Sequence, residues 1–177
     1  MIMLDLFAGL GGASRAMQEA GWTVITVDND PKFSPDILAD IITFHYNGPK
    51  PDLVWASPPC TEFSRYSLPP TWKCNKGGKK KPDMTLTLAA KRVIEEINPE
   101  WWIIENVRGA KPFYEPVLGP CVKKCGSRYL WGELPLCDPA PGYGKWRLPP
   151  SPDRAALRAI IPIQISKAIC KGIDISA

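Results

Sequence analysis

Cys60 is the residue of this sequence that is best placed to act as a nucleophile. It follows Pro58-Pro59 at the end of the apolar run DLVWAS, which predicts a strand that stops at the two prolines. A structural cysteine is expected inside an apolar strand, whereas Cys60 stands just beyond the tip of one. We therefore interpret Cys60 as a candidate nucleophile at the edge of a sheet.

A carboxylate, Glu105, closes a second apolar run, WWIIEN, and should reach the same edge. A thiolate can add to C6 of a pyrimidine while a carboxyl group holds N3 and the exocyclic amine, and this addition makes C5 electron-rich enough to accept a methyl group. Asn106 could orient Glu105, or it could cap a turn. The pair of Cys60 and Glu105 therefore suits chemistry on a pyrimidine ring.

A glycine-rich turn, DLFAGLGG, lies between the first predicted strand and the helix ASRAMQEAG. Its glycines let the backbone approach a ligand at the carboxyl end of a strand, where open α/β sheets bind nucleotide-like cofactors. Ser14 occupies the position of the third glycine of G-x-G-x-x-G, which disfavours a dinucleotide such as NAD. Asp28, at the end of TVITVD, could bind both hydroxyls of a ribose, or it could be a cap or turn residue.

The elements that must position these residues alternate between strands and helices. Strands are predicted at IMLDLF, TVITVD, DLVWAS and WWIIEN, and LTLAAKRVIEEI is predicted to be a helix that Asn98-Pro99 ends. This alternation predicts an α/β fold with a mostly parallel sheet. After Val107 the pattern weakens to one strand candidate, SRYLWG, and a last helix that contains IPIQISKAICKGI and is opened by Pro162.

The composition is that of one globular domain. The 177 residues are 45% hydrophobic and 23% charged, and no apolar run approaches the roughly 20 residues that span a bilayer. We expect a single catalytic domain over residues 1–177, with no membrane association. The N-terminus does not resemble a secretory leader, so a cytoplasmic location is expected.

The six cysteines could form three disulfides, but in a chain of this kind we expect free thiols. Cys74, Cys121, Cys125 and Cys137 could instead hold zinc. No C-x2-C pair is present, and we predict no metal.

A basic cluster follows the candidate nucleophile. The net charge is only +4, but five lysines fall within KCNKGGKKK. Such a cluster could contact phosphates or could be a solvated loop. We interpret residues 61–82 as a basic active-site loop whose DNA-binding candidates are Arg65, Lys73, Lys76, Lys79, Lys80 and Lys81.

Five motifs in order, DLFAGLGG, VDND, ADI, SPPC and ENV, resemble the C5-cytosine DNA methyltransferase family from Met3 to about Val107. The resemblance implies a Rossmann-like SAM-dependent methyltransferase fold with helices on both faces of the sheet, and S-adenosylmethionine (SAM) as cofactor. It also implies methylation of cytosine C5 in DNA through a covalent bond between Cys60 and C6, with the target base rotated out of the duplex. The residues that it assigns to the cofactor are Phe7, Ala8, Gly9, Leu10, Gly11, Gly12, Asp28, Asn29, Asp40, Ile41 and Pro59.

Beyond Val107 the resemblance is partial. SRYLWG is similar to the strand of the family's arginine motif, with Arg128 as the catalytic candidate and one arginine where two are usual. RAIIPIQISKAICKGI is similar to the last motif, but Ala159-Ile160 stand where Asn-Ser is usual. A short Pro-rich segment, residues 133–153, occupies the place of a large target-recognition domain. The chain therefore resembles short, phage-type members of the family.

Two other interpretations remain open at this point. The missing recognition domain is also compatible with RNA or a free cytosine nucleotide as substrate, or with a partner protein that confers specificity. A non-catalytic subunit of a split methyltransferase is a third interpretation. Cys60 and Glu105 are both intact, which argues against that third reading.

Overall fold

The computed structural model describes residues 1–66, 81–137, 157 and 160–176. Its seven strands are β1 (Ile2–Leu6), β2 (Thr23–Asp28), β3 (Ile37–Leu38), β4 (Leu53–Ala56), β5 (Trp101–Val107), β6 (Lys123–Cys125) and β7 (Arg128–Glu133). Its α-helices are α1 (Arg15–Glu19), α2 (Thr61–Tyr66), α3 (Thr85–Ile97), α4 (Lys111–Leu118) and α5 (Ile163–Ser176). Single 3-10 turns cover Pro31–Phe33 and Arg108–Ala110.

The strands form one sheet in the order β3-β2-β1-β4-β5-β7-β6. The strands from β3 to β5 in this order run parallel to one another. β7 runs antiparallel to β5, and β6 runs antiparallel to β7. The chain moves outward in one direction from β1 to β3 and in the other from β4 onward. A crevice at the carboxyl ends of strands on either side of such a reversal is where open α/β sheets bind ligands.

Both faces of the sheet are covered by helices. Neighbouring residues of each central strand point to opposite sides, so each strand contributes side chains to both cores. Met3 and Trp55 face the core formed with α1 and α5. Leu4 and Ala56 face the core formed with α3 and α4. The expected α/β fold, with a mostly parallel sheet and helices on both faces, is confirmed.

The structure also contains elements that the sequence pattern did not indicate. β3 has only two residues, and β6 has the sequence KKC, so neither carries a readable alternation. The helix α4 contains Pro112 and Pro116, and proline in a sequence disfavours a helix. Pro112 is tolerated in the first turn, and the fully buried Tyr114 anchors the helix to the sheet.

Two segments singled out from the sequence are only partly described. The segment 61–82 begins as the helix α2, residues 67–80 lie outside the described part of the chain, and residues 81–82 lead to α3. Of the Pro-rich segment 133–153, only residues 133–137 are described. In the described ranges, no helix is both long enough and apolar enough to cross a membrane.

Candidate active site

The carboxyl ends of β1, β2, β4 and β5 surround one cavity of about 350 Å³. It brings together the candidate nucleophile Cys60, the carboxyl group of Glu105 and the glycine-rich turn after β1. Most predicted site residues line it: Phe7, Ala8, Gly9, Leu10, Gly12, Asp28, Asn29, Pro59, Cys60, Glu105 and Arg128.

The turn after β1 is held in an unusual backbone conformation. Phe7 has a φ of 64° and Gly9 a φ of 51°, in the left-handed region that costs a residue with a Cβ more than it costs glycine. The Phe7 N–H donates to the Val27 carbonyl at 2.9 Å, which ties the turn to β2. The strained residue Phe7 therefore lies on the cavity wall because the sheet itself fixes it there.

Asp28 joins two walls of the cavity. Its Oδ2 accepts the Gly9 N–H at 2.9 Å and its Oδ1 accepts the Asp30 N–H at 2.9 Å. The carboxylate is thus both a turn residue and a bridge to the glycine-rich turn. Each oxygen retains a lone pair for a further donor, such as a ribose hydroxyl.

Gly12 was expected to be a glycine because a ligand approaches its backbone, but another part of the chain lies against it. A Cβ at this position would lie 2.6 Å from the Ile161 nitrogen and 2.8 Å from Ile160 Cγ2. The segment before α5 therefore packs directly against the backbone of Gly12 and leaves no room for a side chain. The Ser166 hydroxyl of α5 donates to the Gly12 carbonyl at 3.1 Å and completes this contact, so α5 closes one side of the cavity.

Asp5 is a buried carboxyl group on the cavity wall that the sequence-based assignment did not name. It is 1% exposed, and in the described structure its Oδ2 has no hydrogen-bond partner. Burial raises the pKa of Asp5 to about 7, the Ser14 hydroxyl opposes this rise, and the charge of Asp28 adds to it. The signal in the sequence was an acidic residue inside an otherwise apolar strand.

Cys60 immediately precedes α2, and its carbonyl accepts the Ser64 N–H at 2.9 Å in the first turn of that helix. The residues before it leave β4 through Ser57, whose hydroxyl accepts the Trp55 indole N–H at 3.0 Å. Cys60 is partly exposed and lines the cavity, as expected of a nucleophile that must reach a substrate.

Glu105 and Arg128 form a buried ion pair. Arg128 Nη1 donates to Glu105 Oε1 at 3.2 Å, with 11% and 4% of the two side chains exposed. Burial raises the pKa of Glu105, while the charge and hydrogen bond of Arg128 and a hydrogen bond from Ser57 partly offset this rise. Arg128 also donates to the Ile160 carbonyl at 3.2 Å, which links the pair to the segment before α5.

Asn106 does not bond to Glu105, contrary to one of the two roles expected for it. Its Nδ2 donates to the Pro58 carbonyl at 3.1 Å and to the Tyr114 hydroxyl at 2.8 Å. Thr87 on α3 bonds to the same hydroxyl at 2.8 Å. Asn106 therefore connects the turn that carries Cys60 to the two helices behind the sheet.

Three of the predicted cofactor residues do not line the cavity. Gly11 lies within the turn, and Asp40 is exposed, where its Oδ1 accepts the Ile42 N–H at 2.9 Å. Ile41 packs in the core beside α3 and α4. Residues that line the cavity without having been predicted include Asp5, Asp30, Phe33, Ser57 and Ile161.

The predicted DNA-binding residues are only partly described. Arg65 on α2 and Lys81 before α3 are exposed. Lys73, Lys76, Lys79 and Lys80 lie outside the described residues. The two ends of this segment are joined, because Glu62 Oε2 accepts the Asp83 N–H at 2.7 Å.

In the described part of the chain, Cys60, Cys121, Cys125 and Cys170 are free thiols. Burial raises the pKa of Cys125 to about 11, and it also raises the pKa of Cys121 and Cys170. No group of three or more potential metal ligands occurs in the ranges that the structure describes, and Cys74 lies outside them.

Comparison with known proteins gives one family. The model of the C-5 cytosine-specific DNA methylases matches residues 1–116. A probable DNA (cytosine-5)-methyltransferase of Frog virus 3 is 32% identical over 117 residues, which are 60% of this chain and 53% of that protein. The type II methyltransferase M.HgiDI of Herpetosiphon aurantiacus is 29% identical over 133 residues, which are 63% of this chain and 38% of that protein.

A second protein of Herpetosiphon aurantiacus, the type II methyltransferase M.HgiGI, is 29% identical over 134 residues, which are 63% of this chain and 94% of that protein. Among solved structures, a putative DNA modification methyltransferase encoded within an E. coli prophage is 21% identical with a TM-score of 0.48, over 66% of this chain and 35% of that one. The chain thus spans about half the length of the viral relative.

Proposed function

Because the chain belongs to the C-5 cytosine-specific DNA methylase family, we propose that it transfers a methyl group from SAM to C5 of cytosine in DNA. The observation that carries this proposal is a single cavity lined by Cys60, by the ion pair of Glu105 with Arg128, and by the glycine-rich turn with Asp28. A nucleophile and an acid for the base lie there beside a site for a nucleotide-like cofactor.

The residues present fit SAM. Asp5 offers a buried carboxyl oxygen without a partner among the described residues, which suits a cationic or N–H donor group. Asp28 offers a carboxylate already oriented by two backbone N–H groups, which suits the ribose hydroxyls. Phe7 and Phe33 add apolar wall. When bound, SAM supplies the methyl group.

Cys60 is the proposed nucleophile. Its thiolate adds to C6 of the cytosine, which places negative charge on the ring and makes C5 nucleophilic. After C5 has accepted the methyl group, loss of the C5 proton to a base expels the Cys60 thiolate from C6 and restores the ring. The Asn106 hydrogen bond to the Pro58 carbonyl fixes the turn that presents Cys60, so the thiol does not need to be ordered during the reaction.

Glu105 is the proposed partner of the base. Burial raises its pKa, so the carboxyl group can take up a proton and donate it in a hydrogen bond to N3 as the ring gains electrons. Arg128 orients the carboxyl group through Oε1. The exocyclic amine is an available donor to the same carboxyl group.

A cytosine within a duplex must leave the base stack to reach Cys60. We assign the closing movement to the segment 61–82, which begins at the nucleophile and contains the basic cluster. Of this segment, the described residue Glu62 accepts a hydrogen bond from the N–H of Asp83, just beyond its other end.

The decisive experiment incubates the protein with methyl-labelled SAM and, separately, duplex DNA, single-stranded DNA, tRNA and dCMP. We expect label in DNA at C5 of cytosine. DNA that contains 5-fluorocytosine should trap a covalent adduct at Cys60, because fluorine cannot leave C5 as a proton does.

The matched variants are Cys60→Ser and Cys121→Ser. Cys60→Ser should abolish transfer while SAM binding stays nearly unchanged, and Cys121→Ser should retain transfer. An active Cys60→Ser protein, or an adduct at another cysteine, would remove Cys60 from the mechanism. Label in tRNA or dCMP alone would change the substrate class, and label in DNA only after a partner protein is added would indicate a split enzyme.

A further inference from the structure

A second cavity of about 350 Å³ lies beside the candidate active site. Its walls come from α2, from the 3-10 turn after β5 and from the β6–β7 hairpin. The residues that line it are Ser64, Val107, Arg108, Gly109, Lys124, Gly126, Ser127 and Tyr129. None of them belongs to the lining of the first cavity.

The two cavities are lined by residues that are close together along the same strands. Glu105 lines the first cavity, and the chain reaches the second only two and three residues later, at Val107 and Arg108. On β7, Arg128 lines the first cavity and its neighbour Tyr129 lines the second. The two cavities are therefore neighbours at this edge of the sheet.

The helix α2 connects the two cavities. Cys60 precedes its first turn, and Ser64 lies four residues further on, about 6 Å along a helix. One strand of DNA rises about 3.4 Å per nucleotide. The second cavity therefore begins about one turn of α2 away from Cys60, and a strand of DNA would cover this distance in about two nucleotides.

The lining of the second cavity suits an anion. Arg108 and Lys124 are exposed cations at its rim, and Ser64 and Ser127 contribute hydroxyl groups. Among the described residues no carboxylate lines it. Arginine, lysine and serine are the side chains that most often contact the phosphates of DNA, and arginine can hold a phosphate through two parallel hydrogen bonds.

We propose that this second cavity binds one backbone phosphate within two nucleotides of the target cytosine, on the strand that is methylated. The inference rests on the proposed function for its choice of ligand. Arg108 and Lys124 hold the phosphate from two sides, and this contact fixes the register of the strand relative to Cys60. It positions the DNA and does not read its sequence.

The test combines Arg108→Ala/Lys124→Ala with duplexes in which single phosphates near the target are replaced by neutral methylphosphonates. Binding is measured by fluorescence anisotropy over a range of salt concentrations, independently of methyl transfer. We expect the double variant to lose about ten- to hundredfold in DNA affinity. The slope of log affinity against log salt should fall by about 0.9, the value for one phosphate.

The position of the phosphate is found by testing each methylphosphonate duplex with both the wild-type protein and the double variant. With the wild-type protein, one methylphosphonate within two nucleotides of the target should cause a loss similar to that of the double variant. With the double variant, that methylphosphonate should cause no further loss, while methylphosphonates elsewhere should still weaken binding. The control variant is Lys50→Ala/Lys171→Ala, which removes two exposed lysines far from both cavities and should leave the pattern unchanged.

Losses that add at every position, or a double variant with the affinity and salt slope of the control, would overturn the proposal. Inorganic phosphate at matched ionic strength should not compete with DNA, and strong competition would indicate a site for a free phosphate instead. If the expected binding pattern appears without any methyl transfer to DNA, the proposed function fails and the phosphate site stands. If methyl transfer occurs without the pattern, only the phosphate site fails.

Discussion

Two aspartates on the wall of the first cavity differ in what their oxygens already contact. Both oxygens of Asp28 accept backbone N–H groups, so its carboxylate is oriented before any ligand arrives. Asp5 Oδ2 has no partner among the described residues, and it lies at the end of a central strand where little can move. Asp28 is therefore suited to hold a ligand in register, whereas Asp5 gains a hydrogen bond only when a donor enters.

The first prediction concerns Asp28. Asp28→Ala should weaken SAM binding by about 1 to 3 kcal/mol, the loss expected when hydrogen bonds to a charged group are removed. Asp40→Ala is the comparison, because the family resemblance assigned Asp40 to the cofactor but Asp40 does not line the cavity. Titration calorimetry on both variants measures the loss. Unchanged affinity for Asp28→Ala would leave Asp28 as a turn residue only, and equal losses for the two would place Asp40 at the cofactor.

The second prediction concerns the pH dependence of stability. The pKa of Asp5 rises from an ordinary value of 3.8 to about 7 on folding, so the folded protein binds more protons between these values. Its contribution to the free energy of unfolding is full below about pH 4 and is lost as the pH rises to about 7. Asp5→Asn should remove this pH-dependent loss of stability. Urea denaturation between pH 4 and 8 measures the free energy of unfolding of both proteins.

The matched control for Asp5→Asn is Glu133→Gln, which neutralises an exposed carboxylate at the end of β7. The stability difference between the wild type and Asp5→Asn should change through this pH range, while the difference for Glu133→Gln should stay nearly flat. A constant difference for Asp5→Asn would show that Asp5 is charged in the folded protein at every pH in the range.

The site residues that sequence reasoning reached are those at strand tips with a distinctive chemistry. Cys60 after two prolines, and Glu105 and Asp28 at the ends of apolar runs, could be placed at one edge because parallel strands end together. Asp5 was not named because a single acid within a strand has no spacing partner. Asp40 and Ile41 were assigned through a resemblance, and their contacts in the folded chain depend on a loop that no local pattern fixes.

At the level of elements, a buried hydrogen-bond network connects the turn that carries Cys60 to the helices behind it. Thr87 on α3 and Asn106 on β5 both bond to the hydroxyl of Tyr114 on α4, and Asn106 also bonds to the Pro58 carbonyl. Burial raises the pKa of Tyr114, so its hydroxyl remains neutral and available to these partners. Tyr114 does not line the cavity, so we predict that it acts as a positioning residue.

The third prediction tests this network with Tyr114→Phe. Removing the hydroxyl leaves two buried polar groups short of a partner, which should cost about 1 to 3 kcal/mol of stability. If the network positions Cys60, kcat should fall by roughly tenfold or more, since one kcal/mol or more of positioning energy is lost. The KM for SAM should change little, because the cofactor wall comes from other elements. Steady-state kinetics at a temperature where the variant is folded measures this split.

Tyr46→Phe is the matched control for Tyr114→Phe. Its hydroxyl also donates one hydrogen bond, to the Pro49 carbonyl at 3.0 Å, but in an exposed loop away from the cavity. This variant should keep kcat and nearly all of its stability. A Tyr114→Phe protein that is less stable but has an unchanged kcat would show that the network supports the fold alone.

The elements themselves were predictable where the hydrophobic pattern was long. The strands β1, β2, β4 and β5 and the helix α3 were all indicated, because each presents several apolar residues at one period. The two-residue β3, the polar β6 and the Pro-containing α4 carry no such pattern and depend on tertiary packing. The hydrogen-bond network at Tyr114 could not be predicted, because the helix α4 that carries Tyr114 was not predicted.

At the scale of the whole molecule, the proposed active site depends on one part of the chain. The cofactor wall, Cys60 and Glu105 all depend on β1, β2, β4 and β5, which lie within the matched region 1–116. Between β7 and α5 the chain has only residues 134–162, where a large recognition domain stands in longer relatives according to the resemblance. Few side chains are therefore available to read base edges.

The last prediction follows from this shortage of base contacts. Each good bidentate contact to a base gives about 1 to 3 kcal/mol of discrimination, and such contacts need side chains that enter a groove. We therefore predict that the protein alone selects a context of at most two or three bases, and that phosphate contacts dominate its DNA binding and weaken steeply with salt. Neutralising Lys79, Lys80 and Lys81 together should lower affinity about equally for all sequences and flatten the salt dependence. Bisulfite sequencing of plasmid DNA that the purified protein has methylated measures the context directly. Methylation confined to one site of four or more defined bases would contradict this prediction and would mean that a small segment of the chain reads sequence in a groove.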